Sequence, residues 1–334
     1  MSIEHSRLTS SIALCTYNGE KYLQEQLDSL ASQTRLPDEL VVCDDFSTDK
    51  TIEILEAFAK TAPFSVQLFQ NEQNLGFNRN FENASLKCIM DVIFFCDQDD
   101  IWEPEKIQSY MELFESDAQT GFVISDSKIN NESMVSLLIS SGLLAKNFRS
   151  YALKSNFIPV ACRYQSWSGH SIGFLRKYNR ILFPLPAFIL ETNTYYDHWI
   201  FTILYSISSG KYIDRLLTNH RTHSQSAVSV ENQRQISQME QRVKEGKQGI
   251  KYIYECMSDV AQFYYVFIQK TEYNNPVNDM VHIFKCRSEH YLKRAMMRDS
   301  ISNRLWYSIC ELFNGNYFRY SSGLLSFAKD ILGK

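Results

Sequence analysis

The sequence has no Cys-x-x-Cys pair, no Gly-x-Gly-x-x-Gly and no Gly-x-x-x-x-Gly-Lys-[Ser/Thr]. It also lacks any apolar run near the ~18 residues that a membrane-spanning helix needs. Each absence excludes a class. Without paired cysteines, neither a zinc ribbon nor a disulfide framework is indicated. The eight Cys, several inside apolar runs (Cys15, Cys43, Cys96), read as reduced thiols filling the core of a cytoplasmic protein. Without the glycine loops, a dinucleotide-dependent oxidoreductase and a P-loop NTPase are both disfavoured. The polar stretch 1–10 carries no secretory pattern, so secretion is not expected.

What is present is ample core material. The 334 residues are 44% hydrophobic and 22% charged, with 19 Tyr and 22 Phe, which excludes disorder and suits one large or two modest domains. The net charge of −4 is unevenly spread. Residues 231–334 carry 15 Lys+Arg against 11 Asp+Glu, leaving 19 basic and 27 acidic residues ahead of them. That acidic front argues against nucleic-acid binding there.

Apolar runs at 11–16, 40–43, 66–69, 92–96 and 122–125 predict short strands. Helical spacing lies between them, at 20–33 (Leu23, Leu27, Leu30, Ala31), 52–59, 77–89 (Phe81, Ala84, Cys88) and after Pro104 (Ile107, Met111, Phe114). The alternation predicts an α/β fold, a Rossmann-like and mostly parallel sheet with helices on both faces. Ligands in such sheets bind beyond the carboxyl ends of the strands. Those ends carry Thr16-Tyr17-Asn18, Asp44-Asp45, residues 71–74, the cluster Asp97, Asp99 and Asp100, and Asp126. A rim of carboxylates cannot hold phosphate by itself. It needs a divalent cation, and Mg²⁺ or Mn²⁺ prefers such oxygen ligands.

After Asp126 the alternation breaks. The pattern predicts a loop–helix excursion over 130–157, a strand at 168–175 and a loop around Pro184 and Pro186. A helix opened by Tyr195 and running through Ile207 to Gly210 follows, then two short strands at 211–214 and 216–222, and helices from about residue 231 onward. His220 and His223 form His-x-x-His, but residues three apart in an extended segment face opposite sides, so a shared ion is not expected.

Several short motifs follow one another along the chain. They are Ala13-Leu14-Cys15-Thr16-Tyr17-Asn18-Gly19, residues 41–45 with Ser47-Thr48-Asp49, Asn74-Leu75-Gly76-Phe77, and residues 95–104 with Lys106. Gly169-His170, Tyr196-Asp197-His198-Trp199 and His220-Arg221-Thr222-His223 come after them. Together and in this order they resemble glycosyltransferase family 2, the inverting nucleotide-sugar transferases of GT-A fold, and in particular its bacterial rhamnosyltransferase-like branch. The resemblance covers residues 10–225. It implies a nucleotide-sugar-binding half (1–126) and an acceptor and catalytic-base half (127–230), ahead of a C-terminal helical region (231–334). Thr16, Tyr17, Asn18, Asp44, Asp97, Gln98 and Arg79 would line the donor site. Asp99, with Asp97 and His223, would hold the metal, and Asp197 would be the general base. Trp102, Asp100, Gly169, His170, His198 and Trp199 would face the acceptor.

Plainer roles compete at several positions. Asp100 either caps the helix that includes Pro104 or positions the acceptor, and Asp45 reads as a helix cap. Trp102 and Trp199 either stack on sugars or fill the core; Arg79 either pairs with a phosphate or is a solvated helix arginine. The resemblance implies transfer of a sugar, rhamnose first, from dTDP-rhamnose or a UDP-sugar to a glycan or lipid-linked glycan acceptor of a bacterial surface. A sugar nucleotidyltransferase would need a glycine-rich, Arg-containing loop where Thr16-Tyr17-Asn18-Gly19 stands. A non-catalytic glycan- or membrane-binding module would have no use for Asp97, Asp99 and Asp197 together. The mixture of Lys, Arg and aromatics in 285–319 predicts peripheral contact with an anionic membrane, on the inner face of the plasma membrane, or a contact in a homodimer.

Overall fold

The computed structural model describes residues 7–136, 167–191, 195–221, 223, 247–270, 280–314, 316 and 324–332. Most of the 130–157 excursion lies outside them. The chain forms two compact units, Met1–Thr222 and His223–Lys334.

The first unit opens with strand β1 (Ser10–Thr16), helix α1 (Leu23–Ala31), β2 (Glu39–Asp44), α2 (Thr51–Ala59), β3 (Ser65–Gln70), α3 (Phe77–Lys87) and β4 (Val92–Asp97). A short β5 (Ile101–Trp102), α4 (Lys106–Ser116), β6 (Thr120–Ile129) and β7 (Glu132–Ser133) follow. Next among the described residues come β8 (Ile172–Leu175), α5 (Asn179–Leu182), α6 (Ala187–Glu191), α7 (Tyr196–Ile207) and β9 (Ser209–His220). The sheet runs β3-β2-β1-β4-β8-β6-β9-β5, with β7 beside β6.

β1, β2, β3 and β4 pair in parallel, as the alternation predicts. β8 is the reversal, antiparallel to both β4 and β6, while β9 is parallel to β6. The carboxyl ends of β1, β2, β4 and β9 and the amino end of β8 therefore meet on one rim. Three sequence expectations change here. The run 168–175 is a 3₁₀ turn over Gly169–Ser171 followed by only four strand residues. The predicted pair 211–214 and 216–222 is one strand, kept continuous across an irregular register near Asp126. The helix expected from Tyr195 to Gly210 spans Tyr196–Ile207, because Tyr195 is extended ahead of it and Ser209 and Gly210 join the sheet.

Both faces are buried along β1, β2 and β4, which is why these strands read as apolar runs, while the edge strand β3 is only half-buried. On one face Ile12, Leu14, Val42 and Phe94 pack with Leu23, Leu27 and Leu30 of α1, all fully buried. Each such leucine contributes about 1.5–3 kcal/mol by leaving water. On the other face Phe95 meets Phe81 of α3 and Tyr196 of α7 edge-on, with centroids 5.6 and 5.2 Å away.

In the second unit α8 (Lys247–Gln269) and α9 (Met280–Met296) pack together, followed by α10 (Ile301–Phe313) and α11 (Leu324–Leu332). Tyr264 stacks on Phe284 at 5.0 Å. Several basic residues that suggested a membrane surface are spent inside the unit. Lys293 pairs with buried Glu311, and Arg294 and Arg298 share buried Asp330. On α10, Leu305, Trp306, Ile309 and Phe313 are exposed, Trp306 by 67% and Phe313 by 86%.

Candidate active site

The site grows from the ends of β1 and β2, where Thr16 and Asp44 are register partners. Thr16 Oγ1 donates to Asp44 Oδ1 at 2.8 Å, and Ser47 N donates to Asp44 Oδ2 at 2.8 Å. The buried Asp44 carboxylate thus holds a tight turn over residues 44–47. Phe46 sits in that turn with φ 69°, a left-handed conformation that costs a residue with a Cβ about 1–2 kcal/mol. The loop after β1 is fastened to it. Asn18 N donates to Ser47 Oγ, Asn18 Oδ1 accepts from Thr48 N, and Gly19 N donates to Thr51 Oγ1, all at 2.8–2.9 Å.

Asp45 is not the cap of α2. Its carboxylate accepts from Asn71 Nδ2, Leu75 N and Gly76 N, and so gathers the loop that leads into α3. Asp49 takes the helix-start role, accepting from Thr51 N. Asp126 is buried within β6 and accepts from Val135 N, so it leaves the rim.

The turn after β4 divides its carboxylates. Gln98 forms a two-point pair with the backbone of Tyr17, accepting from its N–H at 2.9 Å and donating to its C=O at 3.0 Å. A Cβ on Gly19 would lie 2.2 Å from Gln98 Oε1, so this approach requires glycine. Asp100 points inward and is fully buried. Its Oδ1 is 2.8 Å from His220 Nδ1 and its Oδ2 is 3.4 Å from His170 Nδ1. It therefore caps no helix. Burial by itself would lower the pKa of His220, but the hydrogen bond and charge of Asp100 outweigh it and raise the value to about 9. Burial pushes His170 well below its usual value, which keeps it neutral. Lys106 lies beside the cluster, donating to His170 O and, at 2.7 Å, to Thr218 Oγ1, with its Nζ 3.7 Å from the Trp102 ring centroid. Burial lowers its pKa to about 7.

Asp197 stands at the start of α7. Its Oδ2 accepts from Gly169 N at 3.0 Å and its Oδ1 from His198 N at 2.8 Å. Desolvation nevertheless raises its pKa, because it acts against the charged form more strongly than these bonds favour it. Asn78 Oδ1 accepts from Tyr196 N and fixes the entry of the helix.

Other expected residues lie differently. Arg79 is paired with Glu82 at 2.7 Å. Trp102 and Trp199 are buried, one under Lys106 and the other donating its indole N–H to Leu182 O, so neither ring offers a free face. His170 is buried as well, whereas His198 is half-buried and edge-on to Tyr195 at 5.4 Å. His223 belongs to the second unit. The sequence motifs assign no role to Arg221. It donates from Nε to Asp99 O, pairs with Glu25, and donates from Nη2 to Tyr22 O at 3.2 Å.

Two donor sets could hold a cation. Asp100, His170 and His220 offer atoms within 4.8 Å of one another. Their imidazoles, however, stack at 16° with centroids 4.8 Å apart, and a ring nitrogen binds metal in its own plane. Near-parallel rings cannot aim two lone pairs at one ion about 2 Å from each. Asp97 and Asp99, carboxylates two residues apart where β4 ends, are the other candidates. Burial, then the charges of Asp100 and Asp99, raise the pKa of Asp97 well above its usual value, the mark of negative charge that a divalent ion relieves. Hard carboxylate oxygens of this kind fit Mg²⁺ or Mn²⁺.

A family model for glycosyl transferase family 2 matches residues 11–178. A dTDP-rhamnosyl transferase of Shigella flexneri is 35% identical over 101 residues, 29% of this chain and 35% of its own. Among the first curated relatives the matched stretch spans 34% to 68% of their length. Two solved structures share the fold. Staphylococcus aureus TarS 1–349 in complex with UDP-GlcNAc has a TM-score of 0.52 at 18% identity, covering 97% of this chain and 82% of its own. A mannosyltransferase of Pyrobaculum calidifontis in complex with GDP-Man and Mn²⁺ has a TM-score of 0.53 at 15% identity, covering 93% and 76%. These neighbours place the sheet and its helices in the GT-A class.

Proposed function

The chain belongs to glycosyltransferase family 2, and on that premise we propose that it is an inverting, metal-dependent transferase extending a glycan. The donor is a nucleotide sugar, dTDP-rhamnose first and a UDP-sugar next. The dTDP-rhamnosyl transferase of Shigella supports the first, and the UDP-GlcNAc complex of the TarS neighbour the second. Residues 1–126 bind the donor, 127–230 bring the acceptor and the base, and 231–334 make outside contacts.

The observation that carries this reading is Asp197, held by Gly169 N on the rim that bears Asp97, and close enough for its charge to raise the Asp97 pKa. Thr16, Tyr17, Asn18, Asp44 and Gln98 receive the nucleotide. Asp197 takes the proton of an acceptor hydroxyl while that oxygen bonds to the anomeric carbon. The bond to the diphosphate breaks on the opposite face, and the diphosphate leaves with the electron pair. A divalent cation held by Asp99 and Asp97 would supply charge neutralisation for the departing diphosphate. The raised pKa of Asp197 makes it a better base than an ordinary carboxylate.

The exposed apolar face of α10 supports contact with a lipid-linked acceptor's membrane through Trp306 and Phe313 rather than through charge. Binding of dTDP-rhamnose, UDP-GlcNAc and GDP-mannose, each with Mn²⁺, tests the donor assignment. Failure of all three to bind would overturn it.

A further inference from the structure

Four non-glycine residues among those described have positive φ: Asn18, Phe46, Asn130 and Asn131. Asparagine tolerates this region because its short polar side chain bonds locally; phenylalanine has no such compensation. The core does not explain the exception either. Phe46 is 48% exposed, and its ring stacks on no other ring among the described residues. A strained backbone carrying an exposed aromatic at a ligand rim is a feature that folding alone would remove.

Its position suggests its use. The turn that holds Phe46 is closed on the Asp44 carboxylate, and Asp44 is tied to Thr16 at the end of β1. Tyr17, the first residue after β1, is also 48% exposed. The two loops are cross-linked through Asn18 and Ser47, so both aromatics flank the same strand ends. The flat part of a nucleotide sugar is its base, and bases stack on aromatic faces with little regard to sequence.

We propose that Phe46 is a base-binding residue of the donor site, its ring stacking on the nucleobase at the ends of β1 and β2. The assignment rests on the donor-site reading above. It explains why the turn keeps a residue its backbone disfavours, and it places base recognition on a contact separate from the carboxylates.

The test compares Phe46→Gly and Phe46→Tyr with the unaltered chain, titrating UDP, dTDP, GDP and pyrophosphate calorimetrically with Mn²⁺. Glycine removes the ring and relieves the backbone, so Phe46→Gly raises the melting temperature yet weakens the best-bound nucleoside diphosphate roughly tenfold, the size of one base–aromatic stack. Pyrophosphate, lacking a base, binds Phe46→Gly and the unaltered chain alike, and Phe46→Tyr keeps nucleotide affinity. Unchanged nucleotide affinity in Phe46→Gly, or an equal loss for pyrophosphate, overturns the assignment. If the unaltered chain binds none of the three nucleotides, the donor-site reading itself falls and this assignment with it.

Discussion

His220 Nδ1 lies 2.8 Å from Asp100 Oδ1, joining the last residue of β9 to the turn that carries Asp97 and Asp99. The pair is buried on the Asp100 side, and removing one partner of such a pair leaves a charge uncompensated at a cost of about 3–5 kcal/mol. The folded pKa of His220, about 9, exceeds its unfolded value, so its contribution is complete below pH ~6.5 and is lost as pH rises through 9. Lys106 acts oppositely: its folded pKa of about 7 lies below the unfolded value, so its contribution improves with pH between 7 and ~10.4. The two trends oppose each other in the intact protein. The melting-temperature difference between the unaltered chain and His220→Gln therefore isolates the histidine, and is expected to be largest near pH 6 and to shrink towards pH 9. A difference independent of pH would contradict the ion pair.

Asp197→Asn removes the base while keeping its size. Transfer is expected to fall about 10²–10⁴-fold with donor affinity retained. In the unaltered chain kcat/KM should decline on acidification at a pH above the ordinary carboxylate range, since a raised pKa protonates the base earlier. Full activity of Asp197→Asn would exclude it as the base.

Gly169→Ala probes the same carboxylate from behind. A Cβ there would lie 2.2 Å from Tyr196 Oη, and Tyr196 is locked against Phe81 with ring centroids 4.2 Å apart. Something must shift, at about 1–3 kcal/mol of stability, and the Gly169 N–H that holds Asp197 shifts with it. The kinetic signature is a fall in kcat larger than any rise in KM for the donor.

Asp99→Asn tests the metal. Nucleoside diphosphate should raise the melting temperature of the unaltered chain with Mn²⁺ and much less with EDTA, by mass action on the folded state. Asp99→Asn should erase that difference. Equal stabilisation with and without the ion in the unaltered chain would sink the metal role.

On the second unit, Trp306→Glu with Phe313→Glu places charge on the exposed face of α10. Cosedimentation with lipid vesicles should fall, and it should be only weakly salt-sensitive because Lys293, Arg294 and Arg298 are engaged internally. Unchanged partitioning would reject this surface as the contact.

β1, β2 and β4 were legible because each is buried on both sides and so writes an apolar run of its own, whereas the half-buried edge strand β3 shows only a short run around Val66, Leu68 and Phe69. β8 was harder: four residues inserted antiparallel between distant neighbours leave no local mark of direction. The carboxylates at the rim could be read from the sequence, but their division of labour could not. Asp100 looks like its neighbours until His170 and His220, 70 and 120 residues away, turn it inward. Arg79 looks like a phosphate ligand until Glu82 claims it. Phe46 gives no signal in a string of letters, since only the backbone angle reveals that the position would prefer a smaller residue.

The amide of Gln98 offers one acceptor and one donor to Tyr17, the pairing a neighbouring strand residue would make. A side chain thereby extends the sheet beyond its last true rung. The loop after β1 and the acidic turn after β4 are in this way fastened to each other. On the proposed donor-site reading, a nucleotide sugar would meet the two already joined, with no separate step needed to bring them together.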